Sequence, residues 1–378
     1  MKFSDVVGQI SLKQQLIKLS KEGRTSHAML LCEEQGYGAL STALAFVQYN
    51  LCLNKSAEDS CGSCPTCNKI QKMIHPDLHF AVPVNSTKKI TADKKPVTDL
   101  FVDDWRRAIY DNPYITEQEW YDLIGIENKQ GIIGVNEAAQ ILKKLSFRSF
   151  EGGDKYVIIW LPERMNQEAA NKLLKLIEEP PAGTYFIMIS HSPERIIPTI
   201  VSRCQIVNLM PIEKEVLAQR LVEEFNISEE EAFFWARISG GSLSKAREII
   251  NSDRETVEDH ELVVKLLSAC CSKDMPEVIS LWERLSAMNR EKQKSFCHYA
   301  LEFLRELYMT SLGLFDISNT PVRKRESVVS LSKRINPSFY IKAYEILNDA
   351  LHDIERNVNA KYIFADMSNR FFLSLQLL

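Results

Sequence analysis

The sequence has 378 residues, which is too long for one ordinary hydrophobic core and predicts two or three domains. Its 45% hydrophobic and 25% charged residues are typical of a soluble globular protein, and a net charge of -4 excludes a global attraction to nucleic acid or anionic lipid. Because no run has the length and apolar character of a signal peptide or membrane span, we expect a cytoplasmic protein without membrane contact.

The first predicted elements form a strand, a glycine-bearing turn and a helix. An amphipathic helix is predicted over residues 11–21, and a buried strand over residues 27–32. The turn that follows contains Gly36 and Gly38, and a helix continues to Leu51. This order of elements is the setting in which phosphate-binding loops are built.

The residues of this turn lack the chemistry of a phosphate-binding loop. Ala39 and Leu40 stand where the loop needs a lysine and a magnesium-binding hydroxyl, and Glu33 replaces the leading glycine with an acid. We therefore expect no useful ATP binding by this chain. An alternative remains open, in which Gly36 and Gly38 only permit a tight turn between strand and helix.

Four cysteines follow at short separations. Cys52, Cys61, Cys64 and Cys67 have the spacing C-x8-C-x2-C-x2-C, which matches a closed, tetrahedral and therefore structural zinc site. In the alternative interpretation Cys52 is a helix-core thiol, and His75 becomes the substitute ligand. A deaminase site is excluded because no His-x-Glu pair precedes the cysteines.

An insertion of weak periodicity covers about residues 85–130. It contains two tryptophans, several acids and the basic pairs 88–89, 94–95 and 106–107, and so could contact DNA. The pattern favours a solvated excursion instead. A helix is predicted to resume from Gly134 to Ser146.

The most informative stretch is Lys155 to Val207. Two unalternated apolar strands, at residues 155–161 and 185–190, flank a helix from Asn166 to Glu179 that Pro180 and Pro181 end. This pattern predicts a parallel, right-handed β-α-β crossover. Functional groups are then expected at the carboxyl ends of the strands.

The strand ends carry only part of an ATPase active site. Trp160 and Leu161 occupy the places of the magnesium-binding and water-activating acids, and Glu163 remains as a lone surface acid. Arg203 precedes a further strand at residues 205–209. It is either a finger for a neighbour's γ-phosphate or a structural ion pair with Glu163 or Glu194.

After residue 209 the patterns become helical. The predicted helices cover residues 212–225, 228–238, 242–250, 256–271, 275–312 and 337 to the end.

These motifs resemble the delta-prime family of clamp-loader subunits of bacterial DNA polymerase III. The resemblance covers most of the chain apart from about 85–130, and the helix-to-proline segment with Ser-Arg-Cys is specific to clamp loaders. It rests on Val7-Gly8-Gln9, the strand and loop at 28–44, the four cysteines, residues 166–181, residues 198–204, Gly240-Gly241-Ser242-Leu243 and Arg356-Asn357-Val358-Asn359.

The resemblance implies an α/β AAA+ domain over residues 1–209 with a zinc module at 52–67, a helical lid at 210–255 and an α-helical collar at 256–378. It implies zinc on the four cysteines, no ATP on this chain, and Arg203 acting in trans on a tau/gamma neighbour. The partners it implies are tau/gamma and delta subunits in a hetero-pentamer, and the sliding clamp and primed DNA through that complex.

Two other functions remain as alternatives. One is an active tau/gamma-like ATPase, against which Ala39, Trp160 and Leu161 argue. The other is a zinc-stabilised DNA-binding adaptor that uses the 85–130 insertion.

Overall fold

A single parallel sheet organises the first part of the chain in the computed structural model, which describes residues 1–87, 90, 95–126, 129–314 and 320–376. The strand order is β2-β3-β4-β1-β5, and every neighbouring pair is parallel. The strands are Ala28–Cys32 (β1), Leu78–Ala81 (β2), Lys155–Trp160 (β3), Thr184–Ser190 (β4) and Gln205–Asn208 (β5). The four predicted strands and the parallel crossover are confirmed, whereas β2 was not predicted because four residues are too few for a clear pattern.

The chain divides into two compact units, Met1–Ile227 with Ser239–Arg247 and Ser228–Ile238 with Glu248–Leu378. The predicted division into three domains at residues 209 and 255 stays a prediction. The helices of the first unit are Ile10–Lys21 (α1), Ala39–Leu51 (α2), Pro65–Gln71 (α3), Val102–Asp111 (α4), Glu117–Ile124 (α5), Val135–Ser146 (α6), Gln167–Glu178 (α7), Pro198–Val201 (α8) and Lys214–Phe225 (α9).

The sheet is buried on both faces because its strands alternate between two cores. In β3, Ile158 and Trp160 belong to one hydrophobic cluster, and Val157 and Ile159 belong to the other. The second cluster includes apolar residues of α6, α7 and α8. A parallel sheet covered in this way leaves its carboxyl edge as the place for polar groups.

Helix α7 shows how local sequence sets this architecture. The Asn166 side chain accepts a hydrogen bond from the Ala169 N–H at 2.9 Å, so it caps the helix as predicted. The apolar stripe of α7 includes Leu173 and Ile177, both fully buried. The helix ends at Glu178, two residues before Pro180.

The described part of the insertion is not the solvated excursion that the sequence favours. Trp105 in α4 and Trp120 in α5 are both fully buried, and their rings lie 5.0 Å apart. Trp105 also packs against Trp160 of β3, at 5.1 Å between ring centroids. These two indoles therefore belong to the core of the sheet and offer no surface on which DNA bases could stack. Lys88, Lys89 and Lys94 lie outside the described residues.

The second unit is helical, with its own hydrophobic core. The predicted helix 275–312 is two helices, as is the one from 337 to the end. The helices are Glu229–Ile238 (α10), Leu243–Glu255 (α11, which begins in the first unit), Val257–Ser272 (α12), Met275–Ser286 (α13), Arg290–Ser311 (α14), Arg325–Ser332 (α15), Pro337–Glu355 (α16) and Ala360–Gln376 (α17). Among the helices described, none combines the length and the hydropathy needed to cross a membrane.

We predict that Trp105→Ala lowers the free energy of unfolding by about 3–5 kcal/mol, because it removes a buried indole from between two other rings. Tyr110→Ala on the same helix is the matched control, since Tyr110 is 75% exposed and its loss should change stability by about 0.5 kcal/mol or less. Urea unfolding followed by circular dichroism measures both. Equal stability of the two variants would contradict the burial of Trp105.

Candidate functional site

The loop between β1 and α2 has the geometry that the sequence predicts. It runs from Glu33 to Gly38, and α2 begins at Ala39. Gly36 and Gly38 have φ angles of 96° and 102°, which a residue with a side chain adopts only with strain. The loop therefore turns sharply from the buried strand into the helix.

The carboxylate of Glu33 lies at the N-terminus of α2. Its Oε2 accepts a hydrogen bond from the Ala39 N–H at 2.9 Å, and its side chain is 5% exposed. The Nε2 atom of His191 lies 3.4 Å from Oε1. Helix N-termini in such loops attract anions because their N–H groups have no partner within the helix. Here that anion is a side chain of the protein.

Other side chains of the same unit pack against the two glycines. Ser242 Oγ donates to the carbonyl of Gln35 at 2.7 Å, and a β-carbon added at Gly36 would lie 2.7 Å from Ser244 Oγ. At Gly38 an added β-carbon would lie 2.9 Å from the Tyr114 ring. The loop is thus closed over by protein groups at both glycines.

Tyr114 is held in that place by hydrogen bonds. Its hydroxyl accepts from the Val7 N–H at 2.9 Å, and its carbonyl accepts from Ser244 Oγ at 2.8 Å. Burial raises the pKa of the phenol, so the hydroxyl stays protonated near neutral pH. Tyr114 comes from the insertion and links the opening segment, the loop and the start of α11.

The carboxyl end of β3 carries apolar groups. Trp160 and Leu161 are both 1% exposed, and Leu161 has a left-handed φ of 59°. An indole and an isobutyl group offer no oxygen to a magnesium ion and accept no proton from water. Neither side chain at this strand end can therefore bind magnesium or activate water.

Glu163 differs from the lone surface acid expected from the sequence. Its Oε1 accepts from the His191 N–H at 2.9 Å, and its Oε2 is buried with no hydrogen-bond donor among the described residues. The carboxylate therefore ties the segment after β3 to the segment after β4. It lies at the same sheet edge as Glu33, whose carboxylate faces the ring of His191.

Arg203 lies between α8 and β5, on the surface of the first unit. Its Nη1 donates to the carbonyl of Thr199 at 2.9 Å, and its Nε lies 3.3 Å from Oε2 of Glu178. The ion-pair partner is therefore Glu178, and neither Glu163 nor Glu194, which the sequence suggested. About a third of the arginine side chain remains exposed.

The four cysteines come together at the junction of α2 and α3. Cys52 ends α2, Cys64 caps α3, and all four sulfur atoms lie within 4.8 Å of one another. The sulfurs of Cys61 and Cys67 are 3.9 Å apart. Four thiolates at the usual zinc–sulfur distance of about 2.3 Å are separated by about 3.8 Å, so the donor set fits a tetrahedral metal ion.

His75 is engaged elsewhere. Its Nδ1 accepts from the Asp77 N–H at 3.2 Å, and its Nε2 lies 3.2 Å from a carboxylate oxygen of Glu151. The structure thus brings Cys52 into the cluster in preference to His75, and the cluster could hold a metal ion.

Backbone N–H groups prepare part of this cluster for metal binding. The amides of Ser63 and Cys64 lower the pKa of the Cys61 thiol to about 6. Burial raises the pKa of Cys52 and Cys67, whose thiols are more enclosed. Thiolates are the form in which cysteine binds metal, so a cation placed among them would lower all of these pKa values.

Sequence reasoning missed the groups that reach the loop from far along the chain. Tyr114 and Ser244 belong to no motif, Ser242 belongs to a motif that gives no hint of the loop contact, and Glu178 is one more charged residue on the outer face of α7. Helical spacing does place Glu178 at the end of α7, beside the prolines. The pairing with Arg203, 25 residues later, depends on the tertiary structure.

The sheet order, the glycine turn before α2 and the gathering of side chains at the carboxyl edge define an α/β domain built on the plan of phosphate-loop proteins. A family model described as DNA polymerase III, delta subunit, matches residues 8–102 and 110–213, more than half of the chain.

Relatives agree with this match. The DNA polymerase III subunit delta' of Escherichia coli K12 is 24% identical over 96% of this chain and 94% of its own length. That of Bacillus subtilis is 28% identical over 65% of this chain and 60% of its own length. The tau subunit of Bacillus subtilis is 22% identical over 96% of this chain and 60% of its own length. The chain belongs to the delta-prime family of DNA polymerase III subunits.

Proposed function

We propose that this chain is a non-hydrolysing, delta-prime-type subunit of a DNA polymerase III clamp loader in the cytoplasm. It joins tau/gamma and delta subunits in a hetero-pentamer, and helps that complex place the sliding clamp on primed DNA. Family membership supports the assignment to the complex. The carboxylate of Glu33 on the N-terminus of α2 is the observation that carries the non-hydrolysing role.

Glu33 occupies the place where a nucleotide phosphate would bind to α2. A nucleotide phosphate at Ala39 N–H would have to displace Glu33 or lie beside its negative charge in a buried site. Both are unfavourable, because like charges repel strongly where water is excluded. Ala39 offers no ammonium group to offset that cost, and Trp160 offers no oxygen to hold magnesium. The alternative of an active ATPase would need all of these groups restored.

We predict that the isolated chain shows no magnesium-dependent binding of a fluorescent ATP analogue at micromolar concentration, as measured by anisotropy. Removing the internal anion in Glu33→Gly should give weak but detectable binding of tripolyphosphate, which the unchanged chain lacks. A tau/gamma-type subunit serves as the positive control. Saturable micromolar binding by the unchanged chain would refute the non-hydrolysing role.

Arg203 supports a role in trans. It is a fixed, partly exposed cation between α8 and β5, and its own chain offers it no phosphate. Arginine presents a planar fork that suits the oxygens of a transferring phosphoryl group. We therefore assign it as the finger that completes the ATP site of an adjacent tau/gamma subunit. An arginine finger contributes roughly 10³–10⁵ in kcat at the site it serves.

We predict that Arg203→Ala leaves assembly of the reconstituted complex intact and lowers its DNA-stimulated ATPase severalfold, because the served site loses its transition-state cation. Arg195→Ala is the matched control, since Arg195 is an exposed arginine eight residues away in a short 3-10 helix. Steady-state phosphate release and size-exclusion chromatography measure both. Wild-type turnover in Arg203→Ala would remove the finger role.

The four cysteines support a structural zinc ion. A thiolate set of this spacing leaves no open coordination position, so the metal would stabilise the junction of α2 and α3 without taking part in chemistry. Cys52, Cys61, Cys64 and Cys67 would be the ligands. The metal would fix the turn between α2 and α3, which pack against each other at the side of the sheet.

We predict that the purified chain contains about one zinc ion. Cys64→Ser should lose this ion and lower the thermal midpoint of unfolding, because the remaining buried thiolates then have no cation to offset their negative charge. Cys271→Ser should keep both metal and midpoint, because Cys271 lies outside the cluster. Elemental analysis and differential scanning fluorimetry test this. A metal-free chain with an unchanged midpoint would be the opposite result.

The helical parts complete the proposed architecture. Residues 210–255 would form the lid and residues 256–378 the collar that joins subunits into the ring. The separate hydrophobic core of the second unit, which contains α12 to α17, supports an independently packed collar.

A further inference from the structure

Arg203 is held along one edge of its guanidinium group by Glu178. We propose that Glu178 is a positioning residue, which aims this arginine at a phosphate oxygen of the neighbouring subunit. The inference rests on the proposed finger role of Arg203. Glu178 would be the group within this chain that sets the direction of the Arg203 side chain.

Two groups of the same unit hold the guanidinium of Arg203. Nη2 donates a hydrogen bond to Oε1 of Glu178 at 3.3 Å, and Nε lies 3.3 Å from Oε2 at ion-pair distance without a hydrogen bond. Nη1 donates to the carbonyl of Thr199 at 2.9 Å. Each Nη atom carries two N–H groups, so these two hydrogen bonds leave one N–H of Nη1 and one of Nη2 to donate to a phosphate oxygen. The carboxylate therefore orients the arginine without taking the edge that would meet a phosphate.

Both partners stand on elements that the core fixes. Glu178 is the last residue of α7, directly after the fully buried Ile177, and the chain then turns at Pro180. Thr199 lies in α8 beside Ile200, which is also fully buried. A functional side chain held by groups on rigid elements keeps its direction more closely than one on a free loop.

The pair is too exposed to serve mainly as a stabilising contact. The side chains are 34% and 54% exposed, and ion pairs at this exposure contribute little to folding because water screens them. What the pair does restrict is the freedom of a long, flexible side chain. The arginine would thus have lost part of its conformational entropy before it reaches the neighbour's ATP. A smaller entropy loss in the transition state lowers the activation free energy.

Glu178 could instead hold the arginine away from phosphate, and the direction of the change in ATP turnover distinguishes the two roles. If Glu178 withheld the arginine from phosphate, its removal would raise turnover. If it positions the arginine, its removal lowers kcat and leaves the KM for ATP nearly unchanged, since the neighbour alone binds the ground-state nucleotide.

The test uses the reconstituted clamp-loader complex with Glu178→Gln. Glutamine keeps the shape and one acceptor oxygen, but it carries no negative charge and its amide N–H₂ cannot accept a hydrogen bond, so the ion pair with Arg203 is lost. Glu179→Gln is the matched control: Glu179 is adjacent and exposed, and makes no ion pair with any residue for which the structure gives side-chain positions. Arg203→Ala and the double variant Glu178→Gln with Arg203→Ala complete a cycle.

We expect Glu178→Gln to lower the kcat of DNA-stimulated ATP hydrolysis about threefold, with KM changed by about twofold or less. Glu179→Gln should match the wild type. In the Arg203→Ala background, Glu178→Gln should have no further effect, because Glu178 acts through the arginine. Thermal midpoints and assembly should be the same for all variants.

The failures are distinguishable. Wild-type turnover in Arg203→Ala overturns the proposed finger role itself. A loss in Arg203→Ala together with wild-type or raised turnover in Glu178→Gln overturns the positioning role and leaves the finger. An equal loss from Glu178→Gln in both backgrounds shows that Glu178 acts independently of Arg203, and also overturns it.

Discussion

The contact between the Glu33 carboxylate and the Ala39 N–H is the constraint on which the rest of the phosphate-loop region depends. A helix that begins at the end of a buried strand presents N–H groups without partners in the helix, and a negative group is a favourable acceptor for them. In this chain the loop supplies its own anion, and that contact contributes about 1–3 kcal/mol as a charge-assisted hydrogen bond. A ligand is then no longer needed to complete the fold there, and the surrounding groups can close in.

Close packing is found both at the loop after β1 and at the carboxyl end of β3, with β4 between these strands. Tyr114 packs on Gly38, and Trp105 of the same insertion packs on Trp160. The insertion thus supplies aromatic groups to the glycine turn before α2 and to the end of β3. Apolar side chains are stable at these positions only because other apolar groups cover them. The loss of polar chemistry and the burial of the insertion are therefore two aspects of the same packing.

The elements that could be predicted from the sequence are those set by local patterns. The strands β1, β3 and β4, the cap at Asn166 and the stop at Pro180 each follow from a few adjacent residues. The cysteine cluster was predicted for the same reason, because its four cysteines lie within 16 residues.

The contacts that could not be predicted join residues far apart in the chain. Tyr114 meets Val7 across 107 residues, and Ser244 meets Tyr114 across 130. Tyrosine and serine side chains are also common on exposed surfaces, so residue type alone does not predict these contacts. The two tryptophans of the insertion lie in a segment of weak periodicity, so nothing local distinguishes a core contribution from an exposed one. Whether these tryptophans are buried depends on how the insertion packs against the sheet, which is a property of the tertiary structure.

The polar groups at the sheet edge of the first unit differ between its interior and its surface. Inside, the Glu33 carboxylate accepts a hydrogen bond from a helix N–H, and the end of β3 carries the apolar side chain of Trp160. On the surface, Arg203 keeps a defined direction through two groups of its own chain and still has an outer edge to offer. An unused cation would need no such support, since a free arginine is well solvated and loses entropy when it is held. The finger role proposed for Arg203 would therefore use a cation that is already ordered before the neighbouring subunit arrives.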